Sequence, residues 1–113
     1  MSSSIFTRII NREIPAHIEY EDDEVIVIHD IQPQAPVHLL IIPKESYPTL
    51  NDVPDTSALL IGNMVMVATA MAKKHGIDES GYRLVVNCNP DGGQIVYHLH
   101  MHLLGGKKLG HSA

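Results

Sequence analysis

One run in this chain has the residue types and the spacing to do chemistry: Tyr97-His98-Leu99-His100-Met101-His102-Leu103-Leu104-Gly105-Gly106. Polar and apolar residues alternate through it, which is the period of a half-buried strand. Side chains two apart on a strand share a face, so His98, His100 and His102 line one side. Leu99, Met101 and Leu103 line the other, against a core. A helix turns about 200° every two residues and would scatter the rings. The expected element is a strand over Val96–Leu104 that presents a row of titratable imidazoles.

Such a row has three uses. It can be a solvated strand face, although strict alternation of one residue type is unusual there. It can be a metal site, but the outer pair stands roughly 13 Å apart at ~3.3 Å per residue. Zinc also needs further ligands, and Cys88 is the only thiol in the chain. The third use is nucleophilic and acid–base work on a phosphate. A neutral imidazole with a reference pKa near ~6.5 is both a usable nucleophile and a proton donor near neutrality. This use leads, and no metal and no cofactor is expected.

The run His98-Leu-His100-Met-His102-Leu-Leu matches the pattern His-φ-His-φ-His-φ-φ, with φ apolar. The chain resembles the histidine-triad (HIT) superfamily, and within it the nucleotide-binding HINT branch. The likeness runs from Ile5-Phe6 through Gly106 and takes in Asp30-Ile31-Gln32-Pro33-Gln34-Ala35-Pro36-Val37-His38 and Asp91-Gly92-Gly93-Gln94. The closing Gly105-Gly106 favours this branch over the Fhit-like one, which more often continues into Pro-Arg.

Composition narrows the setting. A chain of 113 residues is expected to be a single domain, 1–113, able to bury a core. A net charge of −5, with basic residues clustered no further than Lys73-Lys74 and Lys107-Lys108, speaks against a general nucleic-acid binder. A lone cysteine fits a reducing compartment. The start has no basic region followed by an apolar one, as a signal peptide would. The run Ala58–Ala72 is interrupted by Gly62, Asn63 and Thr69, short of an uncharged membrane span of ~20 residues. The expectation is a soluble cytoplasmic protein that binds neither nucleic acid nor membrane.

Several elements must hold the row in place. Ser4 can cap a short helix with an apolar stripe of Ile5, Phe6, Ile9 and Ile10, ended by Pro15. His17–Glu21 and Glu24–His29 read as strands around an acidic turn, and Val37–Pro43 as a third. Pro33 and Pro36 keep Asp30–Pro36 out of any ladder. A long helix is expected from Asp55 to about His75, with Gly76 just past its end. Tyr82–Asn87 reads as a fourth strand and Asn89–Gly93 as a turn. The sum is an antiparallel α+β domain: five strands, one long helix and one short one. Leu59, Leu60, Ile61, Met64, Val65, Met66, Val67, Ala68 and Met71 cover more than one face of the long helix, so a second layer or a second copy must cover it. The resemblance implies the latter: a homodimer in which a five-stranded meander doubles into a ten-stranded sheet.

The resemblance also assigns roles. His100 takes the nucleophile's place and forms a nucleotidyl-histidine; His102 contacts the phosphate and helps protonate the leaving group; His98 and His38 orient the set. Gly93, Gln94 and Asn87 contact the phosphate region, with Ile95 beside them. Asp30 and Ile31 form the ribose site, and Phe6, Ile9 and Ile28 the base cleft. On the residues alone, Asp91–Gln94 is equally a plain hairpin turn, Asp30 an ordinary turn residue, and the three apolar residues core. Glycines in the turn could expose N–H groups to a phosphate. His17, His29, His75 and His111 need only structural or surface readings.

Ile95 departs from the family's pattern, which usually has Ser there. A hydroxyl can donate or relay a proton to a leaving group, and Ile cannot. The activity that the resemblance implies is hydrolysis of purine nucleoside 5′-phosphoramidates, with a purine nucleotide as ligand. The alternatives are a dinucleoside polyphosphate hydrolase, or a nucleotide-binding scaffold with vestigial hydrolysis.

Overall fold

The computed structural model describes residues 4–111; Met1–Ser3 and the last two residues of the tail lie outside them. The strands are β1 (Ile18–Glu21), β2 (Val25–His29), β3 (Val37–Pro43), β4 (Tyr82–Val85) and β5 (Met101–Gly105). They form one antiparallel sheet in the order β1-β2-β3-β5-β4. This corrects the meander expected above. The chain leaves β3, crosses through the long helix, lays down β4 at the edge, and returns as β5 between β3 and β4. The strand that carries His102 is therefore paired on both sides.

Helix α1 (Ile5–Ile10) and helix α2 (Ala58–Lys74) cover opposite faces of the sheet. The pleat sorts the residues. Ile26 and Ile28 of β2 and Leu40 and Ile42 of β3 point to one face, where Phe6 and Ile9 of α1 bury against them. Val25, Val27, Leu39, Ile41, Met101 and Leu103 point to the other, beneath Met64, Ala68, Met71 and Ala72 of α2. β2 and β3 are buried on both faces, which is why their sequences read as continuous apolar runs.

The helices begin as expected and one ends differently. Ser4 Oγ accepts the backbone N–H of Thr7 at 3.0 Å, a side-chain N-cap. α1 stops at Ile10, well before Pro15, because Arg12 adopts a left-handed φ of 61° and Glu13 N–H closes back on the Arg8 carbonyl at 2.8 Å. α2 is led in by a single 3-10 turn, Asp55–Ser57, and ends on His75 with Gly76 at φ 69°. With that turn it spans 20 residues, long and apolar enough by length and composition to cross a membrane. Here its inner stripe packs on the sheet, while Leu59 and Met66 on its outer side stay exposed.

His17, His29 and His75 meet at the sheet edge beside the end of α2, remote from the triad in sequence. His17 and His29 stack at 3.9 Å, and Glu19 accepts from His29 Nε2 at 2.8 Å and His75 Nε2 at 3.1 Å. The Lys74 ammonium on the same carboxylate is the main reason its pKa falls to about 2. This polar clamp ties the helix end to β1 and β2, in keeping with the structural reading of these histidines. His111 is exposed in the tail.

Gly105, the last residue of β5, and Gly106 after it leave little room for a side chain. A Cβ on Gly105 would lie 2.6 Å from Ile77 Cδ1, and Gly106 combines φ 91° with Pro36 Cβ at 2.9 Å from its own would-be Cβ. A larger residue at Gly105 would displace the end of the Ile77 side chain, and one at Gly106 would press on Pro36 from a strained backbone.

Candidate active site

The alternation survives in space, but the strand is shorter than expected. β5 begins at Met101, so only His102 belongs to the ladder, while His98 and His100 lie in the extended segment before it. β4 likewise ends at Val85 and not at Asn87. The register explains the first loss. Ile41 pairs with Met101, so the next rungs would set Pro43 opposite Leu99, and Pro43 has no N–H to give. Leu99 N–H instead donates to the Tyr47 carbonyl at 2.7 Å. Leu99, Met101 and Leu103 still fall in one apolar cluster under α2. The three imidazoles occupy the opposite side, where Phe6 of α1 meets His98 and His100 edge-on at 6.0 and 5.0 Å.

Each ring is held by named partners, and the partners fix its tautomer. His98 is fully buried; its Nε2–H donates to the Pro43 carbonyl at 2.8 Å, so Nδ1 is the acceptor. Ser4 Oγ lies 3.0 Å and Thr7 Oγ1 3.2 Å from that Nδ1. His100 donates Nδ1–H to the His98 carbonyl at 2.8 Å, which leaves the Nε2 lone pair free. His38 Nδ1 accepts the Gln34 backbone N–H at 3.0 Å, so its proton is on Nε2. That Nε2 lies 2.9 Å from His102 Nδ1 and 3.5 Å from Asp30 Oδ2. His102 therefore accepts at Nδ1 and keeps its own proton on Nε2. His38 and His102 sit diagonally across β3 and β5, since Leu40 pairs with His102 and His38 with Leu104. The rings of His100 and His102 are 5.1 Å apart.

Burial holds all four rings neutral. Desolvation is the largest cause of the lowered pKa at His38, His98, His100 and His102, and for His102 the value falls to about 4. At His38 the Asp30 charge pulls the other way without winning. Unfolded imidazoles take up protons near pH ~6.5, whereas these folded rings resist until lower pH. The unfolded state then binds more protons, so stability falls as pH drops from about 7 towards 5. Each suppressed proton costs about 1.4 kcal/mol per pH unit, so His102, held at about 4, is expected on its own to cost about 2 kcal/mol in urea unfolding over this range, with the other three rings acting in the same direction. A flat profile would contradict neutral rings. Glu19, ionised down to about 2, does not titrate in this window.

The turn before the triad departs from the reading of its glycines as open donors. Pro90–Gly92 is a 3-10 turn, and the N–H groups of Gly92, Gly93 and Gln94 go to Asn89 O (3.1 Å), Pro90 O (2.9 Å) and Asn89 O (3.1 Å). The Gln94 side chain is also spent: it donates to Pro48 O and Val96 O and accepts from Asn89 N–H. Asn87 Nδ2 braces the turn through Gly92 O at 2.7 Å. Ile95, which follows, stands 89% exposed. Asp30 Oδ1 accepts Gln32 N–H at 2.8 Å, and Ile31 beside it projects into solvent. Phe6, Ile9 and Ile28 are packed together in the α1-side core.

The sequence reading missed Ser4 and Thr7 as partners of His98, and Gln34, Pro43 and Pro48 as backbone anchors. Nothing local marks them, because their contacts span 46 to 94 residues or run through the main chain; Gln34, only four residues from His38, acts through its N–H.

Asp30, His38 and His102 bring ligand atoms within 4.8 Å of one another, so this corner has the donor set for a cation. The 2.9 Å contact between the two ring nitrogens is a hydrogen bond with a proton in it, which uses the lone pair that a metal would need.

Comparison with known proteins shows the family of the chain. The HIT domain family model matches residues 11–109. The chain is 54% identical over 107 residues to the purine nucleoside phosphoramidase of Escherichia coli K12, covering 95% of this chain and 90% of that protein. Among solved structures, a histidine triad protein from Clostridium difficile superposes with a TM-score of 0.94 at 43% identity, over the whole of both chains. A HIT family hydrolase from Legionella pneumophila gives 0.93 at 47% identity over 96% of each chain. The chain belongs to the HIT family.

Proposed function

We propose that this protein hydrolyses purine nucleoside 5′-phosphoramidates in two steps through a nucleotidyl-His100 intermediate. The observation that carries the reading is the His100 ring: Nδ1–H is fixed on the His98 carbonyl, and Nε2 has no protein partner among the described residues. A neutral lone pair held at a fixed angle is what an attack on phosphorus needs. The 54% identity to a purine nucleoside phosphoramidase supports the substrate class.

In the first step His100 Nε2 forms a bond to the α-phosphorus as the P–N bond of the substrate breaks. His102 enters this step as the imidazolium that the bound phosphoramidate anion favours, gives its Nε2 proton to the departing nitrogen, and is left neutral. In the second step water attacks phosphorus, returns a proton to His102, and frees His100 and the nucleotide. With Ile95 in place of a hydroxyl, protonation of the amine rests on His102 alone. Asp30 holds the ribose hydroxyls, Ile31 borders them, and the base lies against the cluster of Phe6, Ile9 and Ile28, which are themselves buried. Gly93, Gln94 and Asn87 shape the phosphate pocket, with the Ile95 backbone N–H as its donor.

The direct test is turnover of an adenosine phosphoramidate beside a dinucleoside polyphosphate, with purified protein in excess chelator. Faster cleavage of the phosphoramidate is expected; preference for the polyphosphate, or no turnover of either, overturns the reading. For the ribose site, Asp30→Ala is expected to weaken AMP binding by about 1–3 kcal/mol in calorimetric titration. Unchanged affinity would remove Asp30 from the site.

The same proposal includes a homodimer. Leu59 and Met66 leave the outer side of α2 apolar and exposed, and β4 is the sheet edge next to the triad strand. A two-fold axis there would cover the helix and continue the sheet to ten strands. Sedimentation at micromolar concentration should show a dimer, and a clean monomer would contradict it.

A further inference from the structure

His98 is the triad member with no route to a substrate. It is fully buried, both ring nitrogens are occupied, and Nε2–H is committed to the Pro43 carbonyl. Its chemical contribution to the site is made by its main chain, whose carbonyl holds the Nδ1 proton of His100. What holds His98 therefore sets the angle of the His100 ring.

On the Nδ1 side that hold comes from the first turn of α1, more than 90 residues away in sequence. Ser4 Oγ and Thr7 Oγ1 lie 3.0 and 3.2 Å from Nδ1, and 3.2 Å from each other. One hydroxyl donates to the ring and the other donates to the first. Ser4 Oγ also accepts the Thr7 N–H, so the helix cap and the ring share one oxygen. If the His98 proton moved to Nδ1, the Nε2 lone pair would face the Pro43 carbonyl oxygen at 2.8 Å, acceptor against acceptor. The hydroxyl pair and the carbonyl thus select the same tautomer from opposite ends of the ring.

We propose that Ser4 and Thr7 are positioning residues for the nucleophile: their hydroxyls lock His98 as the Nε2–H tautomer and, through its carbonyl, fix the His100 ring. The proposal rests on His100 being the nucleophile, as argued above. Phe6 of the same turn packs on both rings, so α1 acts on the triad as one unit. A donor lost here leaves a buried acceptor without a partner, and loosening of the ring is the cheapest relief.

The test uses the full chain without nucleotide and reads imidazole tautomers by 15N-correlated NMR. In the wild type His98 should carry its proton on Nε2 and His100 on Nδ1. In Ser4→Gly/Thr7→Val, the His98 Nδ1 signal should lose its hydrogen-bonded shift and His100 should become a mixture of tautomers. Displaced by a fraction of an ångström, the nucleophile should then lose about 10- to 100-fold in kcat, with KM within about threefold. The swap Ser4→Thr/Thr7→Ser keeps both hydroxyls and should stay within about threefold of wild type. A folded double variant with unchanged His100 tautomer and unchanged kcat overturns the proposal. If the double variant does not fold, Ser4→Asp/Thr7→Val decides, since Asp keeps a side-chain acceptor at the helix cap while both hydroxyls are gone: an unmoved His98 Nδ1 shift overturns it. The tautomers are read without substrate, so an inactive wild type would refute the phosphoramidase reading and leave this test standing.

Discussion

His100→Ala is expected to lower phosphoramidate turnover by about 10³-fold or more. Removing the nucleophile closes the covalent route and leaves only binding and electrostatic help, and losses of this size are usual in covalent enzymes. The size of the effect depends on His100 acting alone as nucleophile. His98 cannot replace it, because both of its ring nitrogens are engaged. His102 cannot replace it without giving up the proton the leaving group needs. AMP affinity should persist in outline, because Asp30 and the turn braced by Asn87 do not depend on the His100 ring. Single-turnover kinetics and AMP titration on one preparation check both halves. Residual turnover within tenfold of wild type would contradict the assignment.

His102→Ala should cost about 10²- to 10⁴-fold, and the loss should depend on the leaving group. An amine departs poorly without a proton, so alkyl phosphoramidates should suffer most. A substrate with an acidic leaving group, such as an adenylyl mixed anhydride, should lose far less. Ile95 sharpens this prediction: it has no hydroxyl to take over, and it stands out in solvent. Restoring one by Ile95→Ser in the His102→Ala background tests whether position 95 can serve. An equal loss across leaving groups would contradict His102 as the donor.

Much of this was legible because the chemistry lies in a periodic segment. The alternation His98–Leu103 stated which residues face the core, and it holds even where the ladder does not. β3 was legible to the residue, since the prolines bound it and its interior is an apolar run. The strand order was not. Whether β5 follows β4 outward or returns beside β3 depends on where α2 delivers the chain, which no local pattern encodes. The short β5 was hidden for a related reason: the proline that ends its ladder lies in another strand, more than 50 residues earlier. The Asp91–Gln94 turn misled in the opposite direction. Its glycines advertise open N–H groups, but the 3-10 geometry uses them internally.

His38 shows how partial legibility works at the site. The sequence placed it in a strand and the resemblance gave it an orienting role. The geometry adds a direction: Gln34 N–H to His38, His38 to His102, with the last proton left on His102 Nε2. That direction separates the roles of two adjacent histidines. His100 shows a lone pair and His102 shows a proton.

Rapid quench of a radiolabelled adenosine phosphoramidate, followed by mass analysis of the peptide spanning His98–His102, tests this division most directly. The account predicts a transient adenylyl group on His100 that forms and decays fast enough to carry turnover, and that accumulates when His102 is replaced and a substrate with an acidic leaving group is used. Label on His98 or His102 with His100 clean would contradict it, as would turnover without any labelled peptide.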